Sequence, residues 1–339
     1  MAEYKKKALI SGASGQDASY LAELLLDKGY EVFGTVRRIA LQDQDVRTSR
    51  INHIKDKMHL IPCDLNSYAS VFNAVQETQP DECYHLAAQS FVKTSFDDPF
   101  ETYATNFMGT INLLEALKKV VPKSKFYFAA TSEMFGKVVE SPQKETTPFN
   151  PRSPYGIAKT AGYFATKLAR DSGELFACSG ILFNHCSPRR GLEFVTQKIV
   201  CGLKDIKDGK KEVLELGNMD ARRDWGFSGD YVKAMWMMLQ QPKPDDYVIA
   251  TGETNTVRKF VELSAKRFGY DLEWKGEGID EIGIDRNTNK TIVKINPEFY
   301  RPAEVDLLLG DASKARKVLG WKPEVKLEGL VNLMVDEIQ

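Results

Sequence analysis

The chain has 339 residues, 42% of them hydrophobic and 27% charged, with a formal net charge of −1. That is enough apolar material for a substantial core, in one large domain or two intimately joined ones. The near-zero charge excludes the long-range positive field that non-specific nucleic-acid binding requires. No run approaches the roughly 20 apolar residues of a membrane span, and the opening MAEYKKK leads straight into a strand with no signal-peptide core, so a cytoplasmic address is expected.

Short β-branched runs alternate with longer helical patterns. Lys7–Ser11 reads as a first strand, Ser19–Lys28 as a helix and Glu31–Val36 as a second strand. Met58–Pro62, Glu82–Leu86 and Lys125–Ala130 follow as strands, separated by helices around Val71–Gln79 and Tyr103–Val120. This alternation predicts an α/β fold, a Rossmann-type doubly wound parallel sheet with right-handed helical crossovers. After about Phe183 the rhythm changes. Residues 184–217 and 251–339 mix helices, short strands and loops rich in Gly, Pro, Asn and Arg, while Asp230–Gln240 reads as a helix and Asp246–Thr251 as a buried strand. The expected organisation is a Rossmann domain of residues 1–183 and 218–250, with a smaller substrate-binding domain of residues 184–217 and 251–339 interleaved with its end.

Five cysteines (Cys63, Cys83, Cys178, Cys186 and Cys201) make an odd number, have irregular spacing and form no CxxC pair, which points to buried reduced thiols. The four histidines (His53, His59, His85 and His185) lack metal-ligand spacing, and no metal is expected.

Gly12-Ala-Ser-Gly15-Gln16-Asp17-Ala18 follows the first strand and opens the first helix. Glycines there permit a tight turn, and the helix N-terminus favours a pyrophosphate. An ordinary strand-to-helix turn is the plain alternative, but strand, loop and helix arrive in the order a dinucleotide site needs. The second strand ends in Arg37 and Arg38, where an NAD enzyme usually places an acid. Two guanidiniums suit a 2′-phosphate, so NADP is the expected cofactor, against the alternative of solvated surface charge. Asp64, after the third strand, is a candidate acceptor for the adenine amino group. Leu86-Ala-Ala-Gln89-Ser90 supplies small residues where the backbone passes the phosphates and nicotinamide ribose.

Thr131-Ser132-Glu133 follows the fifth strand at the carboxyl edge of the sheet, and Tyr155-Gly-Ile-Ala-Lys159 comes next. A spacing of four places Tyr155 and Lys159 on one helix face, where the ammonium is expected to depress the phenol's pKa and make it a base for a hydroxyl proton. YxxxK alone is common and also fits a solvent-facing pair. Glu133 separates chemistries, because a simple alcohol dehydrogenase needs no carboxylate beside Thr, Tyr and Lys. A carboxylate facing a sugar can remove the proton next to a new ketone and deliver one to a departing hydroxyl.

At these residues the chain resembles the GDP-mannose 4,6-dehydratases, members of the extended short-chain dehydrogenase/reductase superfamily, nearly end to end. The matching stretches are GASGQDASYLAELLLDKGYEV, VRR, LAAQSFVKTSFDDP, TSEMFGKVVESPQKETTPFNPRSPYGIAK, FNHCSPRRG, GNMDARRDWG, DYVKAMWMMLQ and YRPAEVD. The resemblance implies redox-neutral 4,6-dehydration of a GDP-activated manno-configured sugar. In that scheme Tyr155 takes the C4 hydroxyl proton as hydride passes to NADP, Thr131 and Lys159 assist, and Glu133 abstracts the C5 proton. Water leaves from C6 and hydride returns there.

The resemblance also implies a cofactor site that includes Gly12, Gly15, Gln16, Asp17, Arg37, Arg38, Asp64, Leu65, Leu86, Gln89, Tyr155, Lys159, His185 and Arg190. Sugar-nucleotide contacts are implied for Ser90, Ser132, Asn184, Val195, Lys198, Gly217, Arg223, Arg301 and Glu304. It further implies a homo-oligomer, dimer or tetramer, in which the loop after Arg38 reaches a neighbour's cofactor and Arg47 and Arg50 are candidate contacts.

Three departures stand out. Cys186 replaces the family's glutamate in NHESPRRG, beside the expected sugar pocket, which leaves a modified sugar such as a manno-heptose open. Ile39 and Ala40 replace two serines after the arginines. The family's aspartate after the fourth strand is absent, and Asn106 stands in TNFMGTINLL. A nucleotide-sugar 4-epimerase or 4-keto reductase is the nearest alternative, since those need the Tyr–Lys pair but not Glu133. A non-catalytic NADP sensor is a more distant one.

Overall fold

The computed structural model describes residues 4–38, 47–299 and 308–338. Seven parallel strands form the central sheet: β1 (Lys7–Ser11), β2 (Glu31–Val36), β3 (His59–Pro62), β4 (Glu82–His85), β5 (Lys125–Thr131), β6 (Phe176–Leu182) and β7 (Asp246–Ile249). Their order is 3-2-1-4-5-6-7. The inner strands are buried along nearly their whole length, as strands covered by helices on both faces must be. The chain runs outward from β1 to β3 and then returns to β4, so a crevice opens past the carboxyl ends of β1 and β4.

The helices that frame this crevice are α1 (Gln16–Asp27), α2 (Tyr68–Thr78), α3 (Gly109–Val120) and α4 (Pro154–Asp171). They are followed by α5 (Val195–Lys207), α6 (Ser228–Leu239), α7 (Val257–Phe268) and α8 (Leu327–Asp336). The first begins three residues earlier than its apolar pattern suggests, because Gly15 takes the extended N-cap conformation. The expected helix over Tyr103–Val120 starts at Pro99, where Asp98 caps the Glu101 amide at 3.0 Å. It passes through one π turn at Ala104–Met108 before α3. β6 is a strand that the β-branched pattern does not reveal, since FACSGIL is mostly small residues.

Two apolar clusters form. The first lies around the seven-stranded sheet and includes Leu308, Ala312, Ala315 and Trp321 from the far end of the chain, with Trp321 Nε1 donating to the Asp230 carbonyl at 2.8 Å. The second gathers Cys186, Ile199, Leu216, Trp225, Phe260 and Leu330. A four-stranded sheet of Leu272–Lys275, Ile282–Asp285, Lys290–Ile295 and Leu214–Leu216 lines this second cluster.

β7 is fastened to α4 by a buried fork. Arg170 donates to both Asp246 oxygens at 2.7 Å, and the Tyr163 hydroxyl adds a third bond at 2.8 Å. Short ladders join the rest. His185–Cys186 pairs in parallel with Gly226–Phe227, and Arg222–Arg223 pairs with Asn255–Thr256. Among the described residues no helix is long and apolar enough to cross a membrane.

Candidate functional site

The turn from β1 into α1 shows why glycine is needed. Gly12 has φ +73°, a conformation that side chains resist, and a Cβ there would lie 2.8 Å from the Ala87 Cα. Its amide and that of Ala13 donate to the Thr35 carbonyl at 3.1 and 3.0 Å. The helix's first intrahelical bond runs from the Ser19 amide to the Gly15 carbonyl, so the amides of Gln16, Asp17 and Ala18 lie at the open N-terminus. This backbone leaves room and donors for a diphosphate.

Arg37 and Arg38 are exposed at the end of β2. Asp64 is also exposed, with its Oδ1 accepting from the Asn66 amide at 3.0 Å, while the Leu65 carbonyl takes the Asn112 side chain at 2.8 Å.

Beyond β4 a closed polar network holds Leu86–Phe91. Ser11 Oγ accepts from the Leu86 and Ala87 amides at 3.0 Å and lies 2.8 Å from His85 Nδ1. His85 Nε2 lies 3.0 Å from the Thr110 hydroxyl, which itself donates to the Asn106 carbonyl. Thr110 must therefore accept from Nε2–H, and Ser11 must donate to Nδ1. Burial, and then the charge of Lys159, push the His85 pKa down to about 3, so the ring is neutral. Asn106 clamps the backbone of Gln89 from both sides, at 2.8 and 2.9 Å. Gln89 in turn caps the Phe91 amide at 2.7 Å, leaving Ser90 exposed. Sequence reasoning singled out Leu86, Gln89 and Asn106 but missed Ser11, His85 and Thr110. The available signal was polar side chains at the carboxyl ends of buried strands.

Thr131 ends β5 and caps the one-turn helix Ser132–Met134, accepting from the Glu133 amide at 3.3 Å. Ser132 is buried and Glu133 half-buried. Ser153 caps α4 through the Gly156 amide at 3.0 Å, with Pro154 in the first turn, and so fixes where Tyr155 enters the crevice. A Cβ on Gly156 would meet the Glu133 carbonyl at 2.9 Å, so the two segments pack backbone to backbone.

The electrostatics differ from the expected ammonium–phenol coupling. Burial raises the Tyr155 phenol to about 12, against the pull of a hydrogen bond from Thr131; the Glu133 charge adds to the rise and Arg190 opposes it. Lys159 is itself pushed down to about 8 by burial. Its Nζ donates to the Ala129 carbonyl at 3.0 Å and lies 5.0 Å from the Phe128 ring centre. With the ammonium turned to the strand, desolvation governs the phenol.

The segment after β6 lies across α1. Asp17 Oδ2 meets His185 Nε2 at 2.7 Å, Gln16 Oε1 accepts from Ser187 at 3.0 Å, and Arg189 reaches Ser19 at 3.0 Å and Glu23 at 2.6 Å. The Arg50 guanidinium donates within its own chain to the Arg189 carbonyl at 2.6 Å and the Ser14 carbonyl at 3.2 Å. Arg190 stacks on Phe194 at 3.5 Å, and its buried Nε has no partner among the described residues; the same holds for Asn184 Oδ1.

Cys186 points into the second cluster, 3.1 Å from the Thr196 hydroxyl, with burial raising its pKa. Trp225 is also core, edge-on to Phe260.

Farther along, Val195 opens α5. Lys198 lies 3.4 Å from the Phe299 ring centre, a Cβ on Gly217 would come 2.7 Å from the Phe299 carbonyl, and buried Arg223 donates to the Arg222 carbonyl at 2.9 Å. Arg301 and Glu304, like Ile39 and Ala40, lie outside the described residues. All five cysteines are free thiols, and among the described residues no cluster of His, Cys, Asp and Glu is arranged to hold a metal.

A model of the family described as GDP-mannose 4,6 dehydratase matches residues 9–334. The GDP-mannose 4,6-dehydratase of Vibrio cholerae is 48% identical, with 98% of this chain and 94% of that protein covered. The GDP-mannose 4,6 dehydratase of Homo sapiens is also 48% identical, covering 99% and 92%. Among solved structures, a UDP-glucose 4-epimerase of Thermotoga maritima superposes with a TM-score of 0.81 at 24% identity, covering 98% of each chain. RMD from Pseudomonas aeruginosa, complexed with NADPH, gives 0.76 at 21%, covering 98% of this chain and 99% of that one. These two likenesses establish the shared fold.

Proposed function

Since the chain belongs to the GDP-mannose 4,6 dehydratase family along residues 9–334, we propose that it is an NADP-dependent dehydratase converting a GDP-activated manno-configured sugar to its 4-keto-6-deoxy form. The observation that carries this reading is the meeting of Thr131, Glu133 and Tyr155 at the carboxyl end of β5, with Lys159 one helical turn along.

The phosphate-loop residues fit NADP, given the positive φ of Gly12 and the open N-terminus of α1. Arg37 and Arg38 would hold the 2′-phosphate, Asp64 and Leu65 the adenine, and Arg190 a phosphate. When bound, the oxidised cofactor would supply the hydride acceptor for C4, the same hydride for C6, and a positive charge near the phenol. Tyr155 takes the C4 hydroxyl proton, and the Thr131 hydroxyl holds the resulting oxygen charge. Lys159 assists from one helical turn along α4. Glu133 removes the C5 proton, made acidic by the adjacent ketone, and passes it to the C6 hydroxyl, which departs as water; once hydride is back on C6, the proton held by Tyr155 returns to C5. Asn184, Lys198, Arg223, Arg301 and Glu304 would grip the GDP-sugar, with guanidiniums on the diphosphate and the carboxylate on guanine donors. The two apolar clusters support a cofactor unit and a sugar-nucleotide unit, with residues 308–321 packed in the former.

Phe96, Phe100, Phe164 and Leu168 are exposed on neighbouring helices, the last three at 86%, 55% and 68%. That apolar face supports a homo-oligomer. The free thiols fit a reducing cytoplasm.

The test is incubation with GDP-mannose, and separately GDP-manno-heptose, with a trace of NADP+ and no NADPH. A 4-keto product absorbing in alkali is expected from at least one. Reversible C4 inversion alone, or turnover that requires NADPH, would replace this reading with an epimerase or a reductase.

A further inference from the structure

Asp17 and His185 come from opposite halves of the chain and meet at 2.7 Å. Hydrogen-bond arithmetic fixes their protons. His185 Nδ1 lies 2.8 Å from the Phe183 carbonyl oxygen, which can only accept, so that nitrogen carries a hydrogen. Nε2 faces a carboxylate, also an acceptor, so a second proton lies between the two. Burial alone would raise the Asp17 pKa, but His185 first, then Arg190, bring it below the usual value, so the Asp17 side chain is the carboxylate of the pair. The pair is an imidazolium and a carboxylate. The Tyr231 ring stacks on this imidazolium at 4.5 Å and 26°, an arrangement that suits a cation.

Asp17 lies in the first turn of α1. A carboxylate there stabilises the helix end and by the same field opposes a second anion at it. The neighbouring Gly12–Gln16 turn is where the proposed function seats the cofactor's diphosphate. We propose that His185 is the counter-ion of Asp17, cancelling its charge so that the phosphate loop can accept a diphosphate. A residue of the sugar-nucleotide segment thereby sets the anion affinity of the cofactor helix. The inference rests on the NADP reading above. The segment is also held to α1 by Gln16–Ser187 and Ser19–Arg189, and by the Arg50 bridge between Ser14 and Arg189, so removing the imidazolium alters charge without detaching it.

The experiment is calorimetric titration of the full chain with NADP+, for wild type, His185→Asn, Asp17→Asn and the double variant. His185→Asn is expected to weaken NADP+ binding roughly tenfold or more, the scale of a unit-charge interaction about one helical turn away at a partly wet site. Asp17→Asn should bind at least as tightly as wild type, and the double variant should recover most of the loss. A pair that serves only to pack the segment predicts the opposite: both single variants weaken binding and the double does no better than either. That outcome overturns the proposal. If His185→Asn does not fold, Asp17→Asn alone decides, and weaker binding than wild type overturns it. A folded wild type that fails to bind NADP+ overturns the cofactor reading and this inference with it.

Discussion

Lys159 donates to the Ala129 carbonyl at 3.0 Å, so the ammonium of the YxxxK helix is bonded to the strand that carries Thr131. The cost of burying that ammonium yields a stability prediction. In the folded chain Lys159 titrates at about 8, against 10.5 when unfolded. The unfolded chain therefore holds more protons between pH 8 and 10.5, and stability rises with pH through that window. Below it the full cost of the buried cation is present. Lys159→Met is expected to abolish turnover yet raise stability at pH 7 by about 1–3 kcal/mol, the upper figure following from the shift and the lower allowing for an unpaired Ala129 carbonyl. Urea unfolding measures this, and a variant less stable than wild type contradicts it.

Tyr155→Phe keeps the ring and its packing while removing the hydroxyl. Turnover should fall by about 10²–10⁴-fold, the contribution of a positioned acid–base group, with NADP+ binding little changed. Thr131→Ser retains the hydroxyl and should keep most activity, whereas Thr131→Val should lose about tenfold or more. Equal activity of the Ser and Val variants would remove the hydroxyl from the mechanism.

His85 is buried neutral. The unfolded chain takes up a proton below pH 6.5 that the folded one refuses until about pH 3. Stability should fall by up to about 1.4 kcal/mol per pH unit on acidification through that range. In His85→Gln the fall should be shallower, whatever the variant's stability at pH 7. Thermal unfolding from pH 7 to 4 compares the slopes, and parallel slopes would refute the assignment.

Burial raises the pKa of every cysteine, and Cys201 alone among the five is partly exposed. Brief iodoacetamide treatment followed by peptide mass spectrometry should label Cys201 first. Cys186→Ser should stay active, since a hydroxyl can take over the bond to Thr196. Rapid labelling of Cys186 would place its thiol in an open pocket instead.

What was legible in the amino-acid order follows from the range of the forces involved. β1, β2 and β5 announce themselves because strands covered on both faces need largely apolar runs, and α4 because a spacing of four is a local fact. β6 was not legible. Its Gly180 is small because a Cβ there would meet the Tyr127 ring, a contact between strands that no local pattern records. The inward turn of Cys186 and the pairing of Asp17 with His185 are likewise set by how distant segments dock. The Tyr155–Lys159 spacing was readable, but the direction of the ammonium depended on the neighbouring Ala129 carbonyl.

The placement of Leu308, Ala312, Ala315 and Trp321 against the seven-stranded sheet bears on synthesis. A nascent chain that has already released β7 still presents an uncovered greasy flank where Trp321 must dock beneath Asp230. The ribosome must therefore translate past Trp321 before the seven-stranded sheet can be covered on that flank, and a chain that stops upstream of residue 308 lacks the side chains that cover it.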